Sequence, residues 1–185
     1  FGLTAGKWYW EIKMASLLGN NTHGIISELT AELCQNVAGL QNDVGVTQFR
    51  NDDGGEMNTD GTQTTADYGT LDDGDILGVA FNADDNQISF YDNGSALVSD
   101  FTISTTRGVI FPFFGSGIST TFAINLGGCP SFTVSSGNQD ANGYGNFEIA
   151  PPSGYLALCS KNLGSDGYNN RRFRFIYKPN SLYRG

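Results

Sequence analysis

Histidine occurs once in these 185 residues, at His23. A Ser-His-Asp or Cys-His mechanism would have to run through that imidazole, yet Asn20-Asn21-Thr22-His23-Gly24 reads as a surface turn. Glutamate is nearly as scarce, confined to Glu11, Glu28, Glu32, Glu56 and Glu148. A glycosidase needs two carboxylates held about 5–9.5 Å apart across the sugar, and no E-x-D-x-x-E spacing puts two of these on one strand face. An enzyme is therefore not expected. Cys34, Cys129 and Cys159 stand far apart with no C-x-x-C, which argues against a disulfide framework and against zinc. Cys159 closes the apolar run from Gly154 and reads as a small buried hydrophobe in a protein assembled under reducing conditions. No apolar run approaches the ~18 residues of a membrane span, so membrane insertion is not expected. Lys7, Lys13, Arg50 and Arg107 are the only basic residues in positions 1–160, a stretch of net charge −14. That surface repels phosphate, so nucleic-acid binding through the main domain is not expected either.

What is present suits one β domain. Hydrophobic residues make up 39% and aromatics 12%, enough for a single core at a length where about 70% of the unfolded surface can be buried. Lys7–Met14 alternates, with Trp8, Trp10, Ile12 and Met14 on one face, and predicts a half-buried strand. Gly24–Ile26, Val44–Phe49, Asp75–Asn82, Gln87–Asp92, Ser95–Phe101, Val109–Phe114, Thr121–Leu126 and Gly154–Cys159 predict further strands. Asn93-Gly94 is the pair that a type I′ hairpin demands, which makes the segment 75–101 a meander. Residues 26–43 are undecided between helix and loop. Residues 50–67, nearly free of apolar side chains, predict a long surface loop or a flat solvated hairpin, and 135–146 predicts a second polar loop. Short strands punctuated by turns, with no repeat and no long amphipathic helix, predict an all-β, bent antiparallel β-sandwich of jelly-roll type. The expected division is a sandwich over 1–160 followed by a basic segment 161–185 of net charge +5, the whole being part of a longer chain. In that segment Arg172, Arg174, Ile176 and Lys178 alternate with Phe173, Phe175 and Tyr177, as a closing strand would.

The ordered pieces resemble a known family. Gly6-Lys7-Trp8-Tyr9-Trp10-Glu11-Ile12 resembles the opening strand of the SPRY (B30.2-type) domain, a concanavalin A-like sandwich. Asp75–Asn82 followed by Gln87–Gly94 resembles its central hairpin. Ile110-Phe111-Pro112-Phe113, Thr121–Gly127 and Pro152-Ser153-Gly154-Tyr155 resemble later segments in the same order. The ending Gly154–Leu163 looks like SPRY-like domains of bacteriophage and virus structural proteins. The resemblance implies no catalysis, no cofactor and a partner bound by loops at one end of the sandwich. The segments 26–43 and 50–67 fit the family poorly, so ligand identity does not carry over.

The leading expectation is a virion structural or binding domain of a capsid, tail or fibre, assembled in the host cytoplasm. Its partners would be other virion proteins or a host surface protein or glycan, within a homo-oligomeric or larger assembly. The alternatives are a glycan- or receptor-binding module of a tail fibre and an intracellular adaptor that binds a short peptide in the cytoplasm. Asn51, Asp52, Asp53, Tyr68 and Tyr144 are the candidate partner-binding residues, because aromatics beside amides and carboxylates suit a peptide or a sugar. Arg171, Arg172, Arg174 and Lys178 are the candidate docking arm for an acidic surface. Asp52-Asp53, Asp60, Asp72-Asp73-Gly74-Asp75 and Asp84-Asp85 offer hard oxygens that a structural Ca²⁺ would accept. None fits a calcium-loop spacing, and turn chemistry accounts for Asp equally well. Replacing 52–60 by a Gly-Ser turn is expected to leave the fold intact.

Overall fold

In the computed structural model, residues 2–16, 21–28, 45–51, 54–64, 66–103, 108–116 and 120–165 are described. Strand β1 (Lys7–Ser16) is the axis of the first sheet. One of its edges pairs antiparallel with β6 (Ile76–Asn82), from Lys7↔Asn82 to Lys13↔Ile76. β6 continues into the meander with β7 (Gln87–Asp92) and β8 (Ser95–Thr102). The other edge of β1 is shared end to end. Its second half pairs with β10 (Thr121–Asn125), and its first half takes the two residues of β11 (Leu156–Ala157) in parallel. The sheet order is β10-β1-β6-β7-β8 with β11 beside β1. The second sheet runs β5-β4-β3-β2-β9. It contains β2 (Asn21–Ser27), β3 (Val46–Arg50), β4 (Glu56–Thr59), β5 (Thr62–Gln63) and β9 (Ile110–Ser116). A helical turn, α1 (Ser160–Ser165), follows β11.

The core fills the space between the sheets. Trp8, Trp10, Ile12 and Met14 from β1 join Leu77, Val79 and Phe81 from β6, and Ile88 and Phe90 from β7. From the opposite sheet come Ile25, Phe49 and Met57. Phe49 and Phe90 meet across the gap with ring centroids 5.7 Å apart. The hairpin after β7 is built as the Asn-Gly pair requires, with φ of 47° at Asn93 and 88° at Gly94. The bent antiparallel sandwich expected from the strand pattern is the architecture found, β11 being its one parallel pairing among the described strands.

Several local expectations are corrected. β1 is not half-buried: Tyr9 and Glu11, on the face assigned to solvent, are buried as completely as the tryptophans. Residues 138–149 lie across that face, with Phe147 meeting Tyr9 edge-on at 5.0 Å. His23 is not in a surface turn. It stands in β2 opposite Phe49, 1% exposed, between Phe114 and Phe122. The polar stretch 50–67 is not a loop throughout, because Glu56–Thr59 and Thr62–Gln63 form a hairpin. β4 is not solvated either, since Met57 and Asn58 are fully buried. A Gly-Ser turn over 52–60 would therefore delete a strand. Val109–Phe114 and Thr121–Leu126, consecutive in the chain, become β9 and β10 in different sheets. Gly154–Cys159 yields only the two residues of β11. Cys159 is half-buried at the edge of the Tyr9–Phe147 cluster rather than enclosed. The undecided segment falls, for 29–43, outside the described residues, and its first residues, Ile26 and Ser27, end β2. The expected basic strand at 171–178 also falls outside them.

Candidate functional site

Two polar regions of the surface are built by specific side chains. The first lies over the outer face of β1. Glu11 sends its carboxylate into that face and accepts from Ile149 N at 2.7 Å, Glu148 N at 3.1 Å and Asn125 Nδ2 at 3.0 Å. Burial pushes its carboxyl pKa up, and the three donors oppose that shift. Asp140 holds the other end of the same segment. It accepts from Asn142 N, Tyr144 N, Ala157 N and Asn162 Nδ2. Burial alone would raise its pKa, but these donors outweigh it and the net shift is downward. The segment 138–149, which includes most of the expected polar loop 135–146, is thus fastened to β1, β11 and α1. Tyr144 stands on this staple, half-exposed, with Lys161 Nζ 5.0 Å from its ring centre.

The second region is a loop end where the two sheets meet. Gly54-Gly55 and Tyr68-Gly69 run side by side, with Tyr68 N donating to Gly55 O at 3.0 Å and Gly69 N to Gly54 O at 2.8 Å. The approach needs glycine at 55, where a β-carbon would sit 1.9 Å from Gly69 O. Asn51 fixes the next turn: its carbonyl accepts from Leu71 N at 2.6 Å and its amide donates to Leu71 O at 3.0 Å. Leu71 anchors this turn in the core, and Tyr68 and Leu97 pack half-exposed at its margin. Beyond it, Asp75 accepts from Asp72 N at 2.7 Å and from Asn93 Nδ2 at 2.6 Å, tying the 71–75 turn to the β7–β8 hairpin. Asp67, Asp72 and Asp73 are exposed here, and Asp75 and Asp92 are half-exposed. Partial burial raises the Asp92 pKa, and the neighbouring Asp75 and Asp72 charges add to the rise. Lys13, whose strand position faces Ile76, is turned over the Phe132 ring at 5.8 Å.

Of the residues singled out in the sequence, Asn51 and Tyr68 come together at this loop end, and Asn51 serves there as a clamp on the backbone. Tyr144 is elsewhere, on the staple over β1. Asp52, Asp53, Arg171, Arg172, Arg174 and Lys178 lie outside the described residues. Asp67 and Asp92 escaped notice because neither belongs to an acidic run; Asp92 reaches the others through the β6–β7 pairing at Leu77↔Asp92 and the bonds of Asn93 to Asp75 and Ile76. Among the described residues, several aspartates of the expected calcium clusters act as hydrogen-bond acceptors. Asp60 takes Gly45 N, Asp84 takes Gly6 N and Asp85 takes Asn82 Nδ2. Among the described residues no three His, Cys, Asp or Glu side chains gather as a metal site.

The fold has counterparts among known proteins. The family model described as the SPRY domain matches residues 7–128. The crystal structure of the SPRY domain of human HERC1 is similar, with a TM-score of 0.52 at 15% sequence identity, covering 72% of this chain and 80% of that one. No curated protein matches the sequence.

Proposed function

The chain belongs to the SPRY family, and from that premise we propose that it is an adaptor-type interaction module whose acidic loop end receives a short, positively charged peptide. SPRY domains are non-catalytic interaction modules, so the surface and not a reaction centre carries the function. The observation behind the proposal is the grouping of Asp72, Asp75 and Asp92 by the 71–75 turn and its bond to Asn93, with exposed Asp67 and Asp73 and half-exposed Tyr68 and Leu97 on the adjoining turns of a clamped backbone. A rigid rim loses little entropy on binding. A neighbouring aromatic, Tyr68, would supply contact area at low conformational cost, and the carboxylates would steer and orient Lys or Arg side chains. The virion reading is kept only as the finer alternative, since its support is the segment Gly154–Leu163 alone.

The test is binding of fluorescent peptides rich in Lys or Arg and one aromatic, measured by anisotropy, beside a glycan array. Tyr68→Ala and the pair Asp72→Asn/Asp73→Asn should each weaken peptide binding about tenfold, a loss of about 1.4 kcal/mol, with circular dichroism unchanged. Added salt should weaken the wild-type complex. Binding that ignores both variants, or glycan binding in place of peptide binding, would overturn the reading.

A further inference from the structure

We propose that Cys129 and Cys159 form a redox-active thiol pair that closes, on meeting a small disulfide, into an internal bridge between the ends of β10 and β11. Both thiols are free, Cys129 exposed and Cys159 half-buried. They lie thirty positions apart in sequence, but the backbone brings their segments together, because β10 and β11 share one edge of β1. A β-carbon added at Gly127 would meet the Ala157 β-carbon at 2.7 Å. One added at Gly128 would lie 3.9 Å from the Cys159 β-carbon. Disulfides hold their β-carbons about 3.5–4.5 Å apart. The chain one residue before Cys129 therefore already stands at bridging distance from Cys159. Cys129, the next residue, is exposed, so closure requires the bend at 128–129 to turn its sulfur inward, a turn that no side chain at 127 or 128 obstructs.

The chemistry is thiol–disulfide exchange with a low-molecular-weight disulfide such as oxidised glutathione. The exposed Cys129, as thiolate, attacks one sulfur of the small disulfide. That S–S bond breaks and one small thiolate leaves. Cys159, as thiolate, then attacks the Cys129 sulfur of the mixed disulfide and expels the second small thiolate. The two protons lost by the protein thiols end on the two small thiols. The protein pair is oxidised by two electrons, and the small disulfide is reduced by two.

The bridge would act on what it ties. β11 is held to β1 by two residue pairs, Trp8↔Leu156 and Tyr9↔Ala157. Ala157 N and Asn162 Nδ2 both donate to Asp140, which secures the segment over Tyr9. Oxidation would fasten β11 and α1 to β10, and through Asp140 the cover of β1.

The experiment uses the full chain with Cys34→Ser, leaving two thiols, incubated with oxidised glutathione. The expected product is a monomer lighter by two hydrogens, with no titratable thiol and a non-reduced peptide joining Cys129 to Cys159. Its melting temperature should rise by about 5 °C and fall back on reduction. In the same background Gly128→Cys/Cys129→Ser should bridge at least as readily. Glutathione retained on either cysteine without a bridge, or disulfide-linked dimers, would overturn the proposal. Failure of the Gly128→Cys control would overturn its geometry as well.

Discussion

Side chains on β1 show how far a period of two can be trusted. Trp8 and Trp10 announce themselves as core by alternation, and both are buried. Trp10→Ala should cost about 3–5 kcal/mol through the cavity it leaves, read as a lowered urea midpoint at unchanged slope. A midpoint near wild type would mean that Trp10 does not pack between the sheets. Tyr9 and Glu11 alternate as solvent-facing residues should, yet are just as buried, because their cover arrives from residues 138–149. No local pattern in β1 reports a segment more than a hundred positions away. The Glu11 carboxylate is buried with three donors aimed at it, which marks it as a structural acceptor and explains a charge where the second face of the strand needs an anchor.

Among elements, the meander β6-β7-β8 was legible apart from the irregular β7–β8 register, since the apolar run of β6, the alternation of Ile88 and Phe90 and the pair Asn93-Gly94 point to the same hairpins. β4 was not, because EMNT carries one apolar side chain and its strand character comes from pairing with β3 and β5. Burial of Met57 and loss of that pairing give the prediction. Replacing 52–60 by a Gly-Ser turn should lower the unfolding free energy by more than about 2 kcal/mol, measured by denaturant titration. A neutral result would restore the loop interpretation. The segment 135–146 was read correctly as polar but not as fixed, since the Asp140 partners Ala157 and Asn162 lie beyond it in sequence. Asp140→Ala leaves those donors without their acceptor and should cost about 3 kcal/mol. Hydrogen exchange should speed up across 138–147 while β6 and β7 keep their protection. Equal acceleration everywhere would show that Asp140 supports the whole sandwich rather than its cover.

For the molecule as a whole, the fold class was written in the sequence because many short alternating strands and turn pairs agree on one architecture. The interaction surface was only partly so. Asn51 and Tyr68 flank the β4–β5 hairpin, and the acidic surface beside them is assembled from separate turns by bonds such as Asn93 to Asp75, which spacing does not encode. The same limit hid His23, a polar residue whose burial depends on β9 and β10, and that burial should govern the acid stability of the entire domain. Enclosed among aromatic rings, its pKa is lowered to about 3, against about 6.5 when unfolded. Between those values the unfolded chain binds more protons than the native one, so stability rises with pH by up to about 1.4 kcal/mol per unit and levels off above pH 6.5. Asp140 has the same sign at lower pH: its depressed pKa contributes stability above the unfolded carboxylate range that is lost as pH falls through the folded value. Glu11 opposes both, since a raised carboxylate pKa makes stability fall as pH rises through that range. Denaturant titrations at pH 4.5, 5.5, 6.5 and 7.5 separate the contributions. Wild type should gain stability up to pH 6.5. His23→Leu removes the group while keeping an apolar side chain of similar size, so its profile should be flat or gently falling over the same interval. If the variant keeps the wild-type slope, His23 is protonated in the native state, and the position of β2 between Phe114 and Phe122 must be revised.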